Sequence, residues 1–165
     1  MDKKFKMSIK LIIGLGNPEK NYEDTYHNIG YLFIDFLQKN ISNLNGFKLI
    51  LPPQKTNEYM NLSGQAIQKY LQQYKLKPKQ LMIVHDDSDI LFGNYKIQFA
   101  RNSAGHKGVQ SIINLLKTNG FWRIRIGIRH KNSSQKAKNL VLQKISPEDK
   151  KILDETFTKI LNQLS

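Results

Sequence analysis

The sequence predicts a single α/β domain, folded as a three-layer α/β/α sandwich around a mixed, largely parallel and twisted sheet. Short apolar runs with β-branched residues, such as residues 11–13 and 81–84, are typical of buried strands. Between them, apolar residues recur at helical spacing, as in residues 29–37. The order β-α-β-α-β-β-α-β-α predicts helices layered on a sheet. A length of 165 residues fits one domain.

The first predicted strand and helix enclose a polar loop. Residues 11–13 form the strand, Gly14 ends it, and a helix is predicted to begin between Thr25 and Asn28. Thr25 is the predicted N-cap, because its hydroxyl can accept a backbone N–H of the first turn. In open α/β sheets, ligands bind at such a strand end.

The other elements follow from the same two periodicities. They are a strand stopped by Pro52 and Pro53 (48–51), a helix (66–74), a buried strand (81–84), a half-exposed strand (95–100), a helix (109–116), an alternating strand (122–129), and a last helix capped by Ser146 with Ile152, Leu153, Phe157, Ile160 and Leu161 buried. Within the one domain, 1–165, we expect a basic N-terminal extension over residues 1–8, a mobile basic loop over 131–139 and a C-terminal helix over 146–163.

The charge balance favours a polyanionic partner. A formal net charge of +13, from 26 Lys and Arg against 13 Asp and Glu, suits RNA or DNA, although a solvated lysine-rich surface is the alternative. The absence of cysteine excludes disulfides, cysteine zinc sites and a cysteine nucleophile. No apolar run approaches a membrane span, and residues 1–10 lack the apolar region of a signal peptide. We therefore expect a cytoplasmic monomer without a membrane contact or an obligate protein partner.

His27 and Asp86 are the candidate catalytic pair. His27 lies near a predicted helix N-terminus, whose dipole disfavours the imidazolium, and a neutral histidine is what a general base requires. Asp86 follows a predicted strand at the edge where the polar loop also emerges. A carboxylate bound to one imidazole nitrogen leaves the other free to take a proton from water. The alternative is a histidine that only caps or packs.

Two asparagines and an acidic cluster are further candidates. Asn17 and Asn61 can donate and accept hydrogen bonds without charge, as an ester or peptide carbonyl requires, although Asn61 alone would suit a helix cap. Asp86, Asp87 and Asp89 beside His85 resemble a metal site, but the spacing is ragged and matches no calcium loop. We expect no metal and no cofactor.

A basic strand and loop near the C-terminal third are predicted to bind phosphates. The one-sided alternation of the strand favours this over a merely solvated face. The residues are Arg123, Arg125, Arg129, His130, Lys131, Lys136 and Lys138.

Nucleotide binding is disfavoured. The glycines of Gly14-Leu15-Gly16 begin a dinucleotide motif, but its third glycine position falls on Glu19, and Pro18 removes an N–H. The sequence also lacks a phosphate-binding loop with its lysine.

Four blocks in order carry a resemblance over nearly the whole chain. They are Gly14-Leu15-Gly16-Asn17-Pro18 with Tyr22, Thr25, His27, Asn28 and Gly30; Tyr59-Met60-Asn61-Leu62-Ser63-Gly64; Val84-His85-Asp86-Asp87 with Asp89; and Gly105-His106-x-Gly108 followed by Phe121, Arg123 and Arg125-Ile126-Gly127-Ile128. Together they resemble the bacterial peptidyl-tRNA hydrolase family.

The resemblance implies an enzyme that cleaves the ester between a peptide and the 3′ end of tRNA. By position, His27 would be the catalytic base and Asp86 the group that stabilises it. Asn17 would help to distinguish blocked from free aminoacyl-tRNA. Three residues, Tyr22, Tyr59 and Asn61, would contact the CCA end and the peptide. Arg125 would belong to a basic clamp on the phosphates of the acceptor stem.

The chain departs from the family pattern at three places. Lys107 replaces the asparagine after the histidine of the Gly-His-Asn-Gly block, residues 101–104 replace a glycine-rich run, and Gln98 replaces a second lysine of the clamp. The segment between residues 40 and 51 is also short, so part of a strand pair is expected to be missing. Lys107 would hold the substrate or the oxyanion, or turn to solvent. Lys107 and the altered loop before it favour an alternative function, a non-catalytic RNA-binding relative on the same fold, and the retention of His27, Asp86, Asn17 and Asn61 argues against it.

Overall fold

The computed structural model describes residues 1–44, 46–131 and 137–165, and of residues 137 and 138 the backbone alone. The strands are β1 (Leu11–Gly14), β2 (Gln54–Lys55), β3 (Leu81–Leu91), β4 (Tyr95–Phe99) and β5 (Trp122–Arg129). The α-helices are α1 (Lys3–Ser8), α2 (Ile29–Lys39), α3 (Ser63–Gln73), α4 (Lys107–Leu116), α5 (Ala137–Leu140) and α6 (Pro147–Leu164). Residues 132–136, the centre of the loop predicted to be mobile, lie outside the described residues.

The strands form one mixed sheet in the order β2-β1-β3-β5-β4. The first four are parallel to their neighbours, and β4 pairs antiparallel with β5. The carboxyl ends of β1, β3 and β5 therefore meet at one edge of the sheet. The predicted fold class, a mixed and largely parallel α/β sheet, is confirmed.

Helices cover both faces of the sheet, which gives the predicted three layers. On one face, Ile12, Val84 and Ile126 pack in a core with side chains of α2 and α6. On the other face, Ile13 and Ile83 pack with side chains of α3 and α4. Consecutive strand residues point to opposite faces, so strands buried on both sides are apolar throughout.

Three local predictions are wrong. Residues 48–51 form no strand; the strand is β2, after the two prolines, where it pairs with the end of β1. The Thr25 hydroxyl accepts no N–H and instead donates to the Tyr22 carbonyl oxygen at 2.8 Å. Ile152 is 40% exposed, because it faces outward on α6.

The strand β3 is longer than its apolar run. It pairs with β1 only up to Val84 but continues beside β5 as far as Leu91. Asp86 therefore lies inside a strand, just beyond the end of β1, and not in a loop after the strand. Pairing with β5 keeps these polar residues extended beyond the end of the strand predicted from the sequence.

Both termini are packed on the domain. Residues 1–8, expected as an extension, include α1, whose Phe5 ring stacks edge-on against Trp122 at 4.5 Å. The Lys6 ammonium donates to the carbonyl oxygen of Ser165. Ser146 caps α6 by accepting the Asp149 N–H at 3.1 Å. Within the described ranges, none of the helices is long and apolar enough to cross a bilayer.

Candidate active site

A cleft of about 640 Å³ opens at the carboxyl ends of β1 and β3. The N-terminus of α4 and the turn before α2 form its walls. The site residues predicted from the sequence lie around it, except Arg125. The lining residues that matter below are Asn17, Tyr22, His27, Tyr59, Asn61, Asp86, His106 and Lys107.

Close packing of α2 on the sheet places His27. The histidine lies in a 3-10 turn, Tyr26–Asn28, that leads into α2. A Cβ on Gly30 would lie 2.3 Å from the Leu15 oxygen and 2.6 Å from the Val84 oxygen, so this approach requires glycine. From the other side, the His27 N–H donates to the Val141 oxygen at 2.8 Å.

Two histidines share one oxygen of Asp86. The Nδ1 atom of His27 and the Nε2 atom of His106 each lie 2.9 Å from Asp86 Oδ1. The three side chains are 13%, 8% and 3% exposed for His27, His106 and Asp86, so water screens the cluster poorly. The predicted pairing of His27 with Asp86 is present, and His106, which was not among the predicted site residues, joins it.

The hydrogen bonds assign the protons of both rings. The Nδ1 atom of His106 accepts the Val109 N–H at 3.2 Å, so its proton lies on Nε2 and is donated to Asp86. Both nitrogens of His106 are therefore engaged. His27 donates from Nδ1, and its Nε2 makes no hydrogen bond to any of the described residues. Of these two histidines, His27 is the one that presents a free lone pair to the cleft.

Opposing forces set the pKa values of the pair. Burial lowers the pKa of His27, but the charge of Asp86 and the hydrogen bond to it outweigh burial, and the net pKa lies above 6.5. The charge of Lys107 pulls in the opposite direction. Burial raises the pKa of Asp86, yet the charges and hydrogen bonds of His27 and His106 hold it far below 3.8. Asp86 is therefore a carboxylate throughout the neutral range.

Asn17 is fixed by two neighbours. Its backbone N–H donates to Asn28 Oδ1 at 2.8 Å, and Asn28 Nδ2 donates back to the Asn17 carbonyl at 2.9 Å. The side-chain oxygen of Asn17 accepts the Met60 N–H at 2.8 Å. The oxygen is thus occupied, and the amide nitrogen remains as the hydrogen-bond donor of this side chain in the cleft.

Four other predicted residues also line the cleft. Tyr59 is 41% exposed, and its hydroxyl donates to Glu19. Asn61 and Lys107 are exposed at the starts of α3 and α4, and Tyr22 is half-buried. Lys107 borders the cleft and is exposed to solvent, and its contact with the substrate or the oxyanion stays a prediction.

The arginines at the centre of β5, which the sequence predicts to bind phosphates, are buried. Arg123 is 1% exposed and donates to the Asn102 oxygen at 2.9 Å. Arg125 is 8% exposed and donates to Asp87 Oδ2 at 2.7 Å and to Gln98 Oε1 at 2.6 Å. Burial, helped by the charge of Arg125, lowers the pKa of Arg123 to about 10. These guanidiniums hold β5, β3 and the loop before α4 together.

The outer part of the basic segment is only partly described. Arg129 and Lys131 are exposed, and His130 is half-buried. Lys136 and the side chain of Lys138 lie outside the described residues. The contribution of Arg125 to a phosphate clamp stays a prediction.

One group among the described residues has metal-ligating side chains close together: the ligand atoms of His27, Asp86 and His106 lie within 4.8 Å of one another. A zinc ion would bind deprotonated nitrogens at about 2.0–2.1 Å. In this site, the imidazole nitrogens that face Asp86 carry protons and donate them in hydrogen bonds to its Oδ1 atom. The donor set fits a hydrogen-bonded proton-transfer site better than a metal centre. His85, part of the acidic cluster considered from the sequence, instead donates to the Asp86 carbonyl at 2.7 Å.

The sequence reasoning missed His106 and Asn28 as site residues. His106 is the N-cap of α4, and a histidine at a helix start between two glycines was the available signal. Asn28 is 4% exposed, and its exchange of hydrogen bonds with Asn17 joins residues eleven apart in sequence. Neither role follows from spacing alone.

Comparison with known proteins yields one family. A family model described as peptidyl-tRNA hydrolase matches residues 11–165. The peptidyl-tRNA hydrolase of Aquifex aeolicus (strain VF5) is 37% identical, over 96% of this chain and 89% of the relative. That of Campylobacter concisus (strain 13826) is 41% identical, over 90% and 85%. The crystal structure of peptidyl-tRNA hydrolase from Acinetobacter baumannii matches with a TM-score of 0.79 at 28% identity, over 95% of this chain and 87% of that one.

The fold is an α/β/α sandwich with a histidine–carboxylate cluster in a cleft at its strand ends, where α/β enzymes bind their ligands. Together with the comparisons, it defines a hydrolytic enzyme of the α/β class. The chain belongs to the peptidyl-tRNA hydrolase family. The predicted family is confirmed, and with it the expectation of a hydrolase.

Proposed function

We propose that this chain hydrolyses the ester between a peptide, or an N-blocked amino acid, and the 3′-terminal ribose of tRNA, with His27 as the general base. The observation that carries the proposal is the pair of unequal histidines on Asp86. His106 has both nitrogens engaged, whereas His27 keeps Nε2 available at the cleft. A fixed tautomer with one free nitrogen is what water activation requires.

The reaction balances without a covalent intermediate on the protein. Nε2 of His27 removes a proton from water, and the water oxygen attacks the ester carbonyl carbon. Asp86 stabilises the imidazolium that forms. The tetrahedral intermediate then collapses, the bond between the carbonyl carbon and the ribose oxygen breaks, and His27 returns its proton to that oxygen. The products are a free peptide carboxyl group and tRNA with its hydroxyl restored.

The orientation of Asn17 supports a role for it in distinguishing blocked from free amino groups. Its amide offers a donor, because Met60 occupies its oxygen. An N-blocked amino acid presents an amide carbonyl that accepts such a donor. A free aminoacyl group presents an ammonium, which has only donors. The ammonium and the amide donor of Asn17 cannot pair with each other, so binding of aminoacyl-tRNA with a free amino group is disfavoured.

The other candidate residues are assigned to contacts with the substrate. We assign contacts with the CCA end and the peptide to Tyr22, Tyr59 and Asn61, and Lys107 to the developing oxyanion or the terminal phosphate. Arg125 belongs to the clamp on the acceptor stem, with its guanidinium braced by Asp87. We further propose that the reaction needs no metal and no obligate protein partner and takes place in the cytoplasm.

Peptide release from N-acetyl-aminoacyl-tRNA tests the function. The parent chain should release the acylated amino acid in the presence of EDTA, and the same tRNA with an unblocked amino acid should remain intact. No release from the blocked substrate would favour the alternative, an RNA-binding relative without catalysis. Lys107 in place of asparagine is the feature that supports that alternative, and the intact cluster on Asp86 opposes it.

Asn17→Asp is expected to narrow the preference for blocked substrates. The carboxylate can still accept the Met60 N–H, but it replaces the amide donor with a charged acceptor. The kcat/KM for N-acetyl-aminoacyl-tRNA should fall about 5- to 100-fold, and that for the free aminoacyl form should fall less or rise. Asn61→Asp adds the same charge to the same cleft and controls for charge alone: because Asn61 is assigned to contacts that both substrates make, it should lower kcat/KM for both alike. Equal losses on both substrates would contradict the role of Asn17.

Lys107→Asn is expected to move the acid limb of the kcat/KM profile to higher pH. The charge of Lys107 lowers the pKa of His27, so its removal lets Asp86 raise that pKa further. The base is then protonated at higher pH, and activity is lost earlier as the pH falls. Lys107→Ala should behave alike and also weaken substrate capture at low salt. Lys159→Asn, on the far helix α6, is the control; profiles of all three that superimpose on the parent would remove Lys107 from the site.

A further inference from the structure

Much of the positive charge lies at the end of the sheet opposite the cleft. Three segments meet there, residues 2–10 before β1, 74–80 before β3 and 117–122 at the start of β5; we call them the basal face. They carry one carboxylate, Asp2, which is occupied as the N-cap of α1 through the Phe5 N–H at 2.7 Å. Their lysines are Lys3, Lys4, Lys6, Lys10, Lys75, Lys77, Lys79 and Lys117.

Among the described residues, seven of these eight lysines have no acidic partner. Lys6 is buried against Ser165. The other seven form no ion pair with any of the described residues, and all except the half-buried Lys10 are exposed. Repulsion between like charges lowers the stability of the folded chain unless a bound partner neutralises them. A positively charged surface also attracts polyanions.

A groove of about 350 Å³ runs into the basal face between Lys10 and Lys79. The Lys10 N–H donates to the Gln80 oxygen at 2.8 Å, which joins the two walls. Phe99 is 42% exposed at its rim and lies on Trp122, with ring centres 5.4 Å apart. The rest of the lining is Met7, Ser8 and Gln80.

We propose that the basal face is a second nucleic-acid contact that binds single-stranded RNA. The lysines would neutralise consecutive phosphates, and a base would enter the groove and stack on Phe99. Aromatic rings set among cations are the usual means of holding single strands without sequence preference. A concave groove with an exposed ring suits a flat base better than it suits a membrane, into which apolar side chains project.

This contact is separate from the catalytic cleft. Residues 81 to 86 of β3 span the sheet between the two, which is about 16 Å at 3.3 Å per residue. The two sites also open at opposite ends of the strands. A CCA end held beside His27 therefore leaves the basal face free for a different RNA segment.

Fluorescence anisotropy with a labelled eight-nucleotide RNA, blocked at its 3′ end, tests the proposal. Lys10→Glu/Lys79→Glu should weaken binding at least about ten-fold and lower the magnitude of the log–log salt slope by roughly 0.7 for each phosphate that is no longer neutralised. Lys69→Glu/Lys151→Glu makes the same change in net charge on α3 and α6 and should have a much smaller effect. Turnover of a minimal 3′-adenosine ester should stay unchanged in both.

Substitutions of Phe99 separate stacking from general apolar contact. Phe99→Tyr keeps the ring and should bind the RNA normally, whereas Phe99→Leu keeps apolar bulk and should lose about ten-fold. Equal losses in the two lysine pairs, or full binding by Phe99→Leu, would overturn the proposal. So would binding to phosphatidylserine vesicles that survives Phe99→Leu while the parent chain fails to bind the RNA, because the surface would then be a membrane contact.

Discussion

His27→Ala should lower kcat for peptide release by about 10² to 10⁴ and leave the Kd for tRNA within a few-fold. The side chain removed is the cleft histidine whose Nε2 is free, so proton removal from water loses its acceptor. Binding rests on other groups, because the ring is only 13% exposed and offers the tRNA little contact. Single-turnover release from N-acetyl-aminoacyl-tRNA and equilibrium binding of deacylated tRNA give the two quantities.

His106→Ala is the matched control for that experiment. It removes the other imidazole from the same carboxylate oxygen, but a ring whose two nitrogens are both engaged cannot act as the base. We expect a clearly smaller loss, through looser positioning of Asp86. If His106→Ala lost more than His27→Ala, the roles of the two histidines would have to be exchanged.

The sequence predicted those parts of the fold that local periodicity decides. The apolar patterns of β1, β5 and α2 to α4 can be recognised from residues that are close together in the sequence. The strand β2 carries none, since Gln54 and Lys55 are extended only because they pair with Ile13 and Gly14. The polar end of β3 stays extended for the same reason, beside β5. Tertiary pairing overrode local preference in both strands.

The site was predictable where chemistry is carried by single residues and not where it depends on contacts. His27 and Asp86 were selected from their predicted places at a helix start and after an apolar strand, although Asp86 lies inside β3. The alternation in β5 correctly placed its arginines and its isoleucines on opposite faces of the strand. It could not indicate that Arg125 would be buried with a hydrogen bond to Asp87, 38 residues earlier. Likewise, the sharing of Asp86 Oδ1 by a second histidine depends on how α4 approaches the sheet.

Because both histidines donate to the same oxygen of Asp86, a substitution can remove the charge of this side chain and keep its hydrogen bonds. Both histidines donate to Oδ1, which remains an acceptor when the side chain is an amide. Asp86→Asn can therefore keep both rings in place while it removes the negative charge. Without the charge of Asp86, burial and the charge of Lys107 should bring the pKa of His27 below its value in the parent chain.

Asp86→Asn is expected to lower kcat by up to about 10⁴ and to move the acid limb of kcat/KM to lower pH. The rate falls because the imidazolium formed during water attack loses its counter-charge. The limb moves down because the base stays unprotonated at lower pH, the opposite of the shift expected for Lys107→Asn. Asp86→Ala, which removes the acceptor as well, should lose at least as much kcat, and a thermal melt of each variant checks that the fold is intact. A folded Asp86→Asn enzyme whose kcat and acid limb match the parent would show that the carboxylate does not act on His27.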